Sequence, residues 1–319
     1  MTRAERSTPV PWRRVVAATV VAFALAGDAW PESSDALAVS EIAGGVYVHR
    51  GVHGDISPDN LGDLANIGFI VGSRCVAVID TGGSAIVGER LRVAIRKVTA
   101  LPICYVINTH VHPDHVFGNA AFKDEHAEFV GHAKLPAAFA QRGATYLNAL
   151  KRNLGTAAAG SEVIAPSRTV QEVLELDLGG RSLTLKAWRT AHTDNDLTVW
   201  DERTQTMFLS DLLFVEHTPV IDGSLRGWLD VSKELRALKV RQIVPGHGPV
   251  PATWPAALDA QERYLNVILS EVRAALKERL TIQQAVDRVG LSEQRQWVVF
   301  DLFHRRNVTA AYAELEWED

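Results

Sequence analysis

Four metal-ligand side chains lie within six consecutive residues, His110-Val111-His112-Pro113-Asp114-His115. In an extended segment, residues two apart point to the same side, so His110 and His112 can share one ion. The Pro113 turn directs Asp114 and His115 to a neighbouring position. Imidazoles and a carboxylate without thiolate favour Zn²⁺ or a similar divalent metal. The alternative is a structural histidine cluster, in which unpaired buried groups would cost about 1–3 kcal/mol each.

The histidine-rich stretch follows residues 102–108, an apolar and β-branched run that predicts a buried strand. Its ligand side chains would project from the carboxyl end of a strand, where open α/β sheets place their sites. Three further ligand-type residues follow other strand-like runs: His192, Asp211 and His247. Glycines on both sides of His247 would let the backbone approach a crowded centre. Each residue alone is weak evidence, but their joint placement at strand ends predicts one shared site.

The other elements are predicted in two similar halves. The first half contains a strand over 39–49, a hairpin over 67–79, helices over 84–98 and 116–122, a strand over 128–132 and a helix over 133–153. A loop over 154–169 marks the midpoint. The second half contains strands at 174–178, 181–188, 196–201, 206–210 and 241–244, with helices over 228–238 and 256–280. Strands followed by helices in both halves predict an α/β fold with two packed sheets and helices outside.

The ligand-type residues also carry a family resemblance. Asp80, the His110-x-His112-x-Asp114-His115 signature, His192, Asp211 and His247 follow one another as in the metallo-β-lactamase fold superfamily, which the chain resembles from about residue 40 to 275. The resemblance implies an αββα four-layer sandwich with a two-zinc centre at one edge. His110, His112 and His192 would hold one ion, and Asp114, His115 and His247 the second. Asp211 would bridge both ions, and Asp80 would fix the histidine loop by hydrogen bonds.

Two longer stretches, residues 108–122 and 219–229, are similar to a narrower group: exported zinc metallohydrolases associated with quinoprotein dehydrogenase relays and sulfur oxidation. This similarity implies a periplasmic enzyme with a possible quinoprotein dehydrogenase system as partner. At two positions the sequence departs from other groups of the superfamily, which argues against membership of those groups. Flavodiiron proteins carry an acidic residue where His112 stands, and zinc β-lactamases lack a bridging aspartate where Asp211 stands. Asp211 resembles instead the hydrolases of thioesters, lactones and phosphoesters, with weak β-lactam cleavage as an alternative.

The hypothesis for the chemistry is metal-assisted hydrolysis of an ester, thioester, lactone or related bond in a small-molecule substrate. Two ions would hold a bridging hydroxide that attacks a carbonyl, while one ion polarises the carbonyl oxygen. Asp114 is the candidate catalytic residue that orients the nucleophile and transfers its proton. A different hypothesis is a non-catalytic periplasmic accessory protein of a quinoprotein or sulfur-oxidation system. The complete set of ligand-type residues favours the enzyme.

Substrate contacts are less well defined by the sequence. His217 lies in a segment predicted to line the mouth of the site, although a surface imidazole is the plainer interpretation. Trp228 would either stack on substrate or pack in the core, and Asn195 would either contact substrate or, with Asp196, steady the His192 loop. Five other histidines are interpreted as structural, although one of them, His53, sits in a loop able to fold over the site: His49, His53, His126, His132 and His304.

Residues 1–29 have the pattern of an export signal: four arginines, an apolar run over 15–26, and small residues at 27 and 29. We therefore predict that this segment is a cleaved signal peptide and that export follows a Sec or twin-arginine route. The mature protein would be periplasmic and without a membrane anchor. Its single domain would cover 30–319, with the core at about 40–275 and a C-terminal helical extension at 276–319. Export permits disulfides, so Cys75 and Cys104 are either bonded or two buried thiols. The net charge of −5 gives no reason to expect a nucleic-acid partner.

Overall fold

The computed structural model describes residues 1–2 and 35–318 of the 319-residue chain. Apart from its first two residues, the predicted signal peptide lies outside this part. The described strands are β1 (Ser40–Ala43), β2 (Val46–His49), β3 (Ile67–Val71), β4 (Val76–Ile79), β5 (Ile103–Asn108), β6 (Glu128–His132), β7 (Arg168–Val170), β8 (Val173–Asp177), β9 (Ser182–Ala187), β10 (Leu197–Asp201), β11 (Thr206–Phe214) and β12 (Gln242–His247). The described helices are α1 (Ala85–Val98), α2 (Pro113–Val116), α3 (Leu135–Leu154), α4 (Leu225–Arg236), α5 (Ala257–Lys277), α6 (Ile282–Val286) and α7 (Phe300–Leu315), and short 3-10 segments cover Phe117–Glu125, Gly155–Ala158 and Leu291–Glu293.

The strands form two sheets, one from each half of the chain. The first sheet has the order β1 to β7, antiparallel up to β4 and parallel from β4 onwards. The second has the order β12-β11-β10-β9-β8, in which only the β11–β12 pair is parallel. Because β11 and β12 run parallel, their carboxyl ends lie at the same edge of the second sheet.

The two sheets pack face to face, and helices cover both outer faces. The inner cluster joins side chains of both sheets, such as Ile107 of β5 and Phe208 of β11. A second cluster packs α1 on the outer face of the first sheet through Val87, Leu91 and Ile95. A third packs α4, α5, α6 and α7 on the outer face of the second sheet. This arrangement confirms the predicted αββα sandwich. Within the described residues, no helix has the length and apolar character needed to cross a membrane.

Several local predictions differ from the structure. The single strand predicted over 39–49 is a hairpin, because Gly45 adopts a φ of +74° and reverses the chain between β1 and β2. The loop predicted over 154–169 contains a 3-10 segment and runs into the short strand β7. Helix α4 begins at Leu225, three residues before the predicted start, because the Ser224 side chain accepts a hydrogen bond from the backbone N–H of Gly227.

The two cysteines form a disulfide. Cys75 and Cys104 lie at the starts of the neighbouring parallel strands β4 and β5, and their Cα atoms are 5.7 Å apart. The Cys75 side chain is fully buried in the cluster between the sheets. Of the two alternatives that the sequence left open, the structure contains the bonded one.

A buried ion pair also ties the two sheets together. Arg181 donates to both oxygens of Asp201, from Nε at 2.9 Å and from Nη2 at 2.6 Å. Both side chains are at most 1% exposed. The remaining Arg181 nitrogen, Nη1, donates to the carbonyl of Val71 in β3, at 2.8 Å. The guanidinium therefore bridges the start of β9 in one sheet to the end of β3 in the other.

Candidate metal centre

The ligand-type residues come from loops, a short helix and strands of both halves of the chain. His110 and His112 follow β5, Asp114 and His115 lie on the short helix α2, and His192 lies between β9 and β10. The backbone N–H of Leu197 donates to the carbonyl of Thr109 at 2.9 Å, which joins the His192 loop of one sheet to the histidine-rich loop of the other. The site is therefore assembled from both halves of the chain.

Asp211 and His247 lie inside strands rather than in the loops predicted after them. The prediction ended the Asp211 strand at Ser210, but β11 continues to Phe214. Ser210 has a φ of +47°, and the pairing of β11 with β12 shifts register on both sides of it. Such an irregularity re-aims the following side chain. A Cβ at Gly246 would overlap Asp211 Oδ1, so the glycine beside His247 permits the close approach that the sequence predicted.

The first group of ligand-type side chains consists of three imidazoles. The Nδ1 atom of His112 lies 3.1 Å from His110 Nε2 and 3.0 Å from His192 Nε2. Nitrogens bound tetrahedrally to zinc at about 2.0–2.1 Å would lie about 3.3 Å apart. The spacing of the three nitrogens is thus close to what a single Zn²⁺ requires.

The second group consists of one carboxylate and two imidazoles. Asp114 Oδ2 lies 3.6 Å from His115 Nε2 and 3.4 Å from His247 Nε2. The ligand atoms of each group lie within 4.8 Å of one another. The structure therefore brings together the residues that the family resemblance assigned to each of two ions.

Asp211 joins the two groups, with one oxygen turned to each. Its Oδ2 lies 3.6 Å from His110 Nε2 and 3.3 Å from His192 Nε2. Its Oδ1 lies 3.2 Å from His115 Nε2 and 3.5 Å from His247 Nε2. This is the arrangement that a carboxylate bridging two ions needs.

Two buried atoms show that the protein alone does not complete this centre. His115 Nε2 and Asp211 Oδ1 are both inaccessible to solvent, and although they lie 3.2 Å apart, neither forms a hydrogen bond of acceptable geometry with any group. Unpaired buried polar atoms are costly and rare in native proteins. Both atoms face the second group, so the residues present fit a divalent cation held there.

Each imidazole is fixed through the nitrogen that faces away from the centre. Three of these nitrogens meet backbone or side-chain oxygens at 2.7–3.1 Å: His192 Nδ1 donates to the Val220 carbonyl, His247 Nδ1 to the Leu64 carbonyl, and His110 Nδ1 lies beside Thr109 Oγ1. Such contacts select the tautomer and leave the other nitrogen free as a ligand. This pattern is typical of histidines that bind a metal.

Asp80 lies where the family resemblance placed it, beneath the histidine-rich loop. Its carboxylate accepts from the backbone N–H of Thr109 at 2.8 Å, from Thr109 Oγ1 at 2.7 Å and from His115 Nδ1 at 2.8 Å. Asp80 itself adopts a φ of +53°. A non-glycine residue in that region is uncommon, and here it points the carboxylate at the loop.

A second orienting carboxylate, Asp222, did not emerge from the sequence. His112 Nε2 donates to Asp222 Oδ2 at 3.0 Å, and the same oxygen accepts from Arg142 of α3. The 219–229 stretch contains Asp222, but nothing in its spacing linked that residue to His112, 110 positions earlier. Burial alone would raise the pKa of Asp222, but the neighbouring His112 and Arg142 lower it below its usual range.

Asp222→Asn is expected to weaken metal binding 10- to 100-fold, because outer partners of a ligand set its orientation and basicity. Competition with a chromophoric chelator measures this affinity. Asp230→Asn is the matched control, since Asp230 is an exposed carboxylate of α4 paired with Lys233 and outside the centre. An affinity equal to that of the control variant would contradict the role given to Asp222.

Burial and charge act oppositely on the site's histidines. Burial lowers the pKa of His110 far below its ordinary value and that of His192 to about 4. Burial also lowers the pKa of His115, but the Asp211, Asp114 and Asp80 carboxylates outweigh it and raise that pKa well above 6.5. Burial raises the pKa of Asp211, but His115, His247 and His110 bring it well below its usual range. The centre thus holds a carboxylate among imidazoles, the donor set of a cation site.

The candidate substrate residues have different outcomes. His217 is not a surface imidazole: it is 3% exposed, and its ring lies 4.6 Å from that of His247. Trp228 is fully buried, donates from Nε1 to the Leu212 carbonyl and packs behind His192, so it does not face a substrate. Asn195 is also buried and donates to Asp194, while Asp196 accepts from Thr193 and thereby steadies the His192 loop.

The other histidines differ in their surroundings. His49 and His304 are held by hydrogen bonds to Asp63 and to Tyr264 and Val289 respectively, as structural residues. His53 instead stacks on His217 with ring centroids 5.5 Å apart. The loop that carries it therefore reaches the rim of the centre.

Comparison with known proteins places the chain in a family. The family described as the metallo-beta-lactamase superfamily matches residues 61–247, more than half of the chain. Among solved structures, a metallo-beta-lactamase from Pontibacter korlensis superposes with a TM-score of 0.58 at 19% identity, covering 72% of this chain and 99% of that one.

Two further solved structures are similar to the same extent. The metallo-beta-lactamase IND-7 has a TM-score of 0.57 at 16% identity, covering 72% of this chain and 97% of its own. A metallo-beta-lactamase from Erythrobacter litoralis has a TM-score of 0.55 at 17% identity, covering 72% and 95%. At these identities the likeness concerns the fold. No curated protein sequence matches the chain. The match over residues 61–247 establishes that the chain belongs to the metallo-beta-lactamase superfamily of metal-dependent hydrolases.

Proposed function

We propose that the protein is a zinc-dependent hydrolase with two ions per chain, which cleaves an ester, thioester or lactone bond of a small molecule. The observation that carries the proposal is the position of Asp211. Each of its two oxygens faces a separate group of imidazoles, at 3.2–3.6 Å. A carboxylate shared in this way suits a pair of cations, and the nitrogen and oxygen donors suit Zn²⁺.

Bound zinc would supply a polarised substrate carbonyl and a water whose pKa is lowered towards about 7. His110, His112, His192 and Asp211 would hold one ion, and Asp114, His115, His247 and Asp211 the other. Asp114 has a further role, because it is the most exposed of these side chains, at 16%. Its carboxylate would accept the proton of the attacking water and return it to the leaving group.

The preference for esters, thioesters and lactones over β-lactams comes from the donor set. Asp211 stands where the zinc β-lactamases lack a bridging aspartate. β-Lactam cleavage is the second candidate, because solved structures of similar fold are described as metallo-beta-lactamases. One panel that contains all four substrate classes decides between them.

Metal-loaded protein is expected to hydrolyse at least one ester, thioester or lactone of the panel faster than any β-lactam. Elemental analysis should find about two zinc ions per chain. Dialysis against a chelator should remove the metal and the activity together, and added Zn²⁺ should restore both. If the fully zinc-loaded protein cleaves no substrate in the panel, the proposed hydrolase activity would be overturned. An accessory role beside a quinoprotein or sulfur-oxidation system would then be favoured.

We also propose that the protein is exported to the periplasm after cleavage of residues 1–29. The basic, apolar and small-residue sequence of that segment supports export. The Cys75–Cys104 disulfide supports it independently, since such bonds persist in oxidising compartments. Fractionation of the producing cells, followed by mass measurement of the mature chain, tests the proposal. Full-length protein confined to the cytoplasm would overturn it.

A further inference from the structure

His247 is the one ligand-type residue of the centre that has a glycine on each side. A Cβ at Gly246 would overlap Asp211 Oδ1, and Gly248 adopts a φ of +104°, which favours glycine. These glycines permit the close approach of the backbone to the centre, but they also leave the backbone free to adopt other conformations. The position of His247 must therefore be fixed by contacts from outside its own segment.

Asn66, the residue before β3, makes these contacts. Its side-chain nitrogen donates to the Pro245 carbonyl at 2.9 Å and to the Gly248 carbonyl at 3.0 Å. Its backbone N–H donates to the Gly246 carbonyl at 2.7 Å. The three carbonyls lie on both sides of His247 in the chain, so a single distant residue fixes the backbone that carries this imidazole.

The ring of His247 is held by the same segment of the chain. Its Nδ1 donates at 3.1 Å to the carbonyl of Leu64, two residues before the asparagine. Its Nε2 lies 3.5 Å from Asp211 Oδ1 and 3.4 Å from Asp114 Oδ2, on the side of the centre. We call residues 64–66 the clamp, because they fix both the backbone and the imidazole of this ligand-type residue.

The Asn66 amide also holds the loop at the rim of the centre. Asn66 Oδ1 accepts from the backbone N–H of Gly51 at 3.2 Å. Two residues further along that loop, His53 stacks on His217, whose ring lies 4.6 Å from that of His247. Because Asn66 is only 4% exposed, water has little access to replace its hydrogen bonds. One buried amide thus joins segments that meet around His247.

We propose that Asn66 is a positioning residue that sets the affinity of the centre for one of its two ions, the ion of the second group. This inference rests on the proposed two-ion centre and deepens it. Asn66 acts through His247, because a ligand that is already in place loses less conformational freedom when an ion binds. The side-chain hydrogen bonds of Asn66 go to residues 51, 245 and 248, none of which belongs to the first group. The ion of that group should therefore be insensitive to Asn66.

Stepwise titration of the apoprotein with Zn²⁺, in competition with a chromophoric chelator, measures both affinities. Asn66→Ala should bind one ion as the wild type does and the other at least about tenfold more weakly, the effect typical of outer partners of a ligand. Asn66→Asp is a variant of the same size that keeps the acceptor for the Gly51 N–H and loses the paired amide donors. It should show the same selective loss, and it decides the question if Asn66→Ala does not fold.

Cobalt identifies which ion is affected, because the visible absorption of Co²⁺ depends on its ligands and their geometry. His247→Ala removes one side chain of the second group directly, so its spectrum with one equivalent of Co²⁺ reports the first group. Asn66→Ala should give the same spectrum. A purely structural role of Asn66 would instead weaken the binding of both ions alike.

Asn60→Ala is the matched control. Asn60 also organises a loop through its amide: it donates to the Asp55 carbonyl at 2.8 Å and accepts from the backbone N–H groups of Ser57 and Gly62. These contacts stay within residues 55–62, outside the clamp. This variant should therefore bind both ions as the wild type does.

The outcomes separate this inference from the proposed function. If the wild type binds two zinc ions and the Asn66 variants bind both equally well, or lose both by weaker binding or by unfolding, the role of Asn66 is overturned while the two-ion centre stands. If the wild type binds only one ion, the two-ion centre itself is overturned, and this inference with it. The readout is metal affinity, so it decides the role of Asn66 whether or not the protein cleaves a substrate of the panel.

Discussion

Asp211→Ala is expected to abolish the binding of both metal ions and to lower kcat/KM by about 10³-fold or more, roughly 4 kcal/mol of transition-state stabilisation. The physical reason is that Asp211 faces both groups of imidazoles with separate oxygens. Its removal leaves His115 and His247 with only Asp114, and the two groups lose the charge that offsets two nearby cations. Titration of the apoprotein with Zn²⁺, followed by kinetic assay of the loaded protein, measures both effects.

Asp124→Ala provides the control for this variant, since Asp124 is an exposed carboxylate in the 3-10 segment after α2 and lies outside the centre. It should bind zinc and turn over substrate as the wild type does. Circular dichroism should show that Asp211→Ala remains folded. If Asp211→Ala still held two ions with unchanged affinity, the shared-ligand arrangement would have to be abandoned.

Arg181→Met is expected to destabilise the folded protein by about 3–5 kcal/mol, the effect of leaving one partner of a buried ion pair unpaired. Burial raises the pKa of Asp201, but Arg181 and the hydrogen bonds from Thr204 together outweigh burial and lower it below its ordinary 3.8. Without Arg181, the Asp201 carboxylate would be charged and enclosed. The defect should therefore shrink as the pH falls, because protonation of Asp201 removes the unpaired charge. Denaturant unfolding at several pH values measures the difference.

Arg74→Met is the comparison for this variant. Arg74 pairs with Asp177 on the surface, where both side chains are more than half exposed. Exposed pairs contribute about 0–1 kcal/mol, so this change should be nearly neutral. The double variant Arg181→Met/Asp201→Asn should lose less stability than the two single changes summed. A loss below 1 kcal/mol for Arg181→Met would show that the buried pair does not hold the sheets together.

The sequence by itself determined the fold class and the seven ligand-type residues. Strand-like runs that end in histidine or aspartate are local signals, and the spacing from His110 to His115 places four donors within reach of one another before any long-range contact forms. The order of Asp80, His192, Asp211 and His247 along the chain then linked the two halves to one family. None of this depends on knowing which strands are neighbours.

Other features were decided by contacts between residues far apart in the chain. Asp222 pairs with His112, and Asn307 of α7 binds the backbone of Pro219 and Ile221. Both contacts join segments that share no sequence pattern. His217 appeared to be a surface imidazole because its own neighbours are polar, yet residues beyond 290 cover it. For Trp228 the sequence leaves stacking on substrate and packing in the core open, and the packing of α4 on the second sheet decides for the core.

The division has a physical cause. Which residue types can bind a cation follows from their chemistry, and which face of a strand or helix they occupy follows from its period; both are properties of short segments. Which oxygen of Asp211 faces which imidazole depends on the register shift at Ser210 and on the glycine opposite it. Whether His217 is covered depends on where α7 and the residues before it pack. These long-range contacts are set by tertiary packing, and no local pattern in a single sequence predicts them.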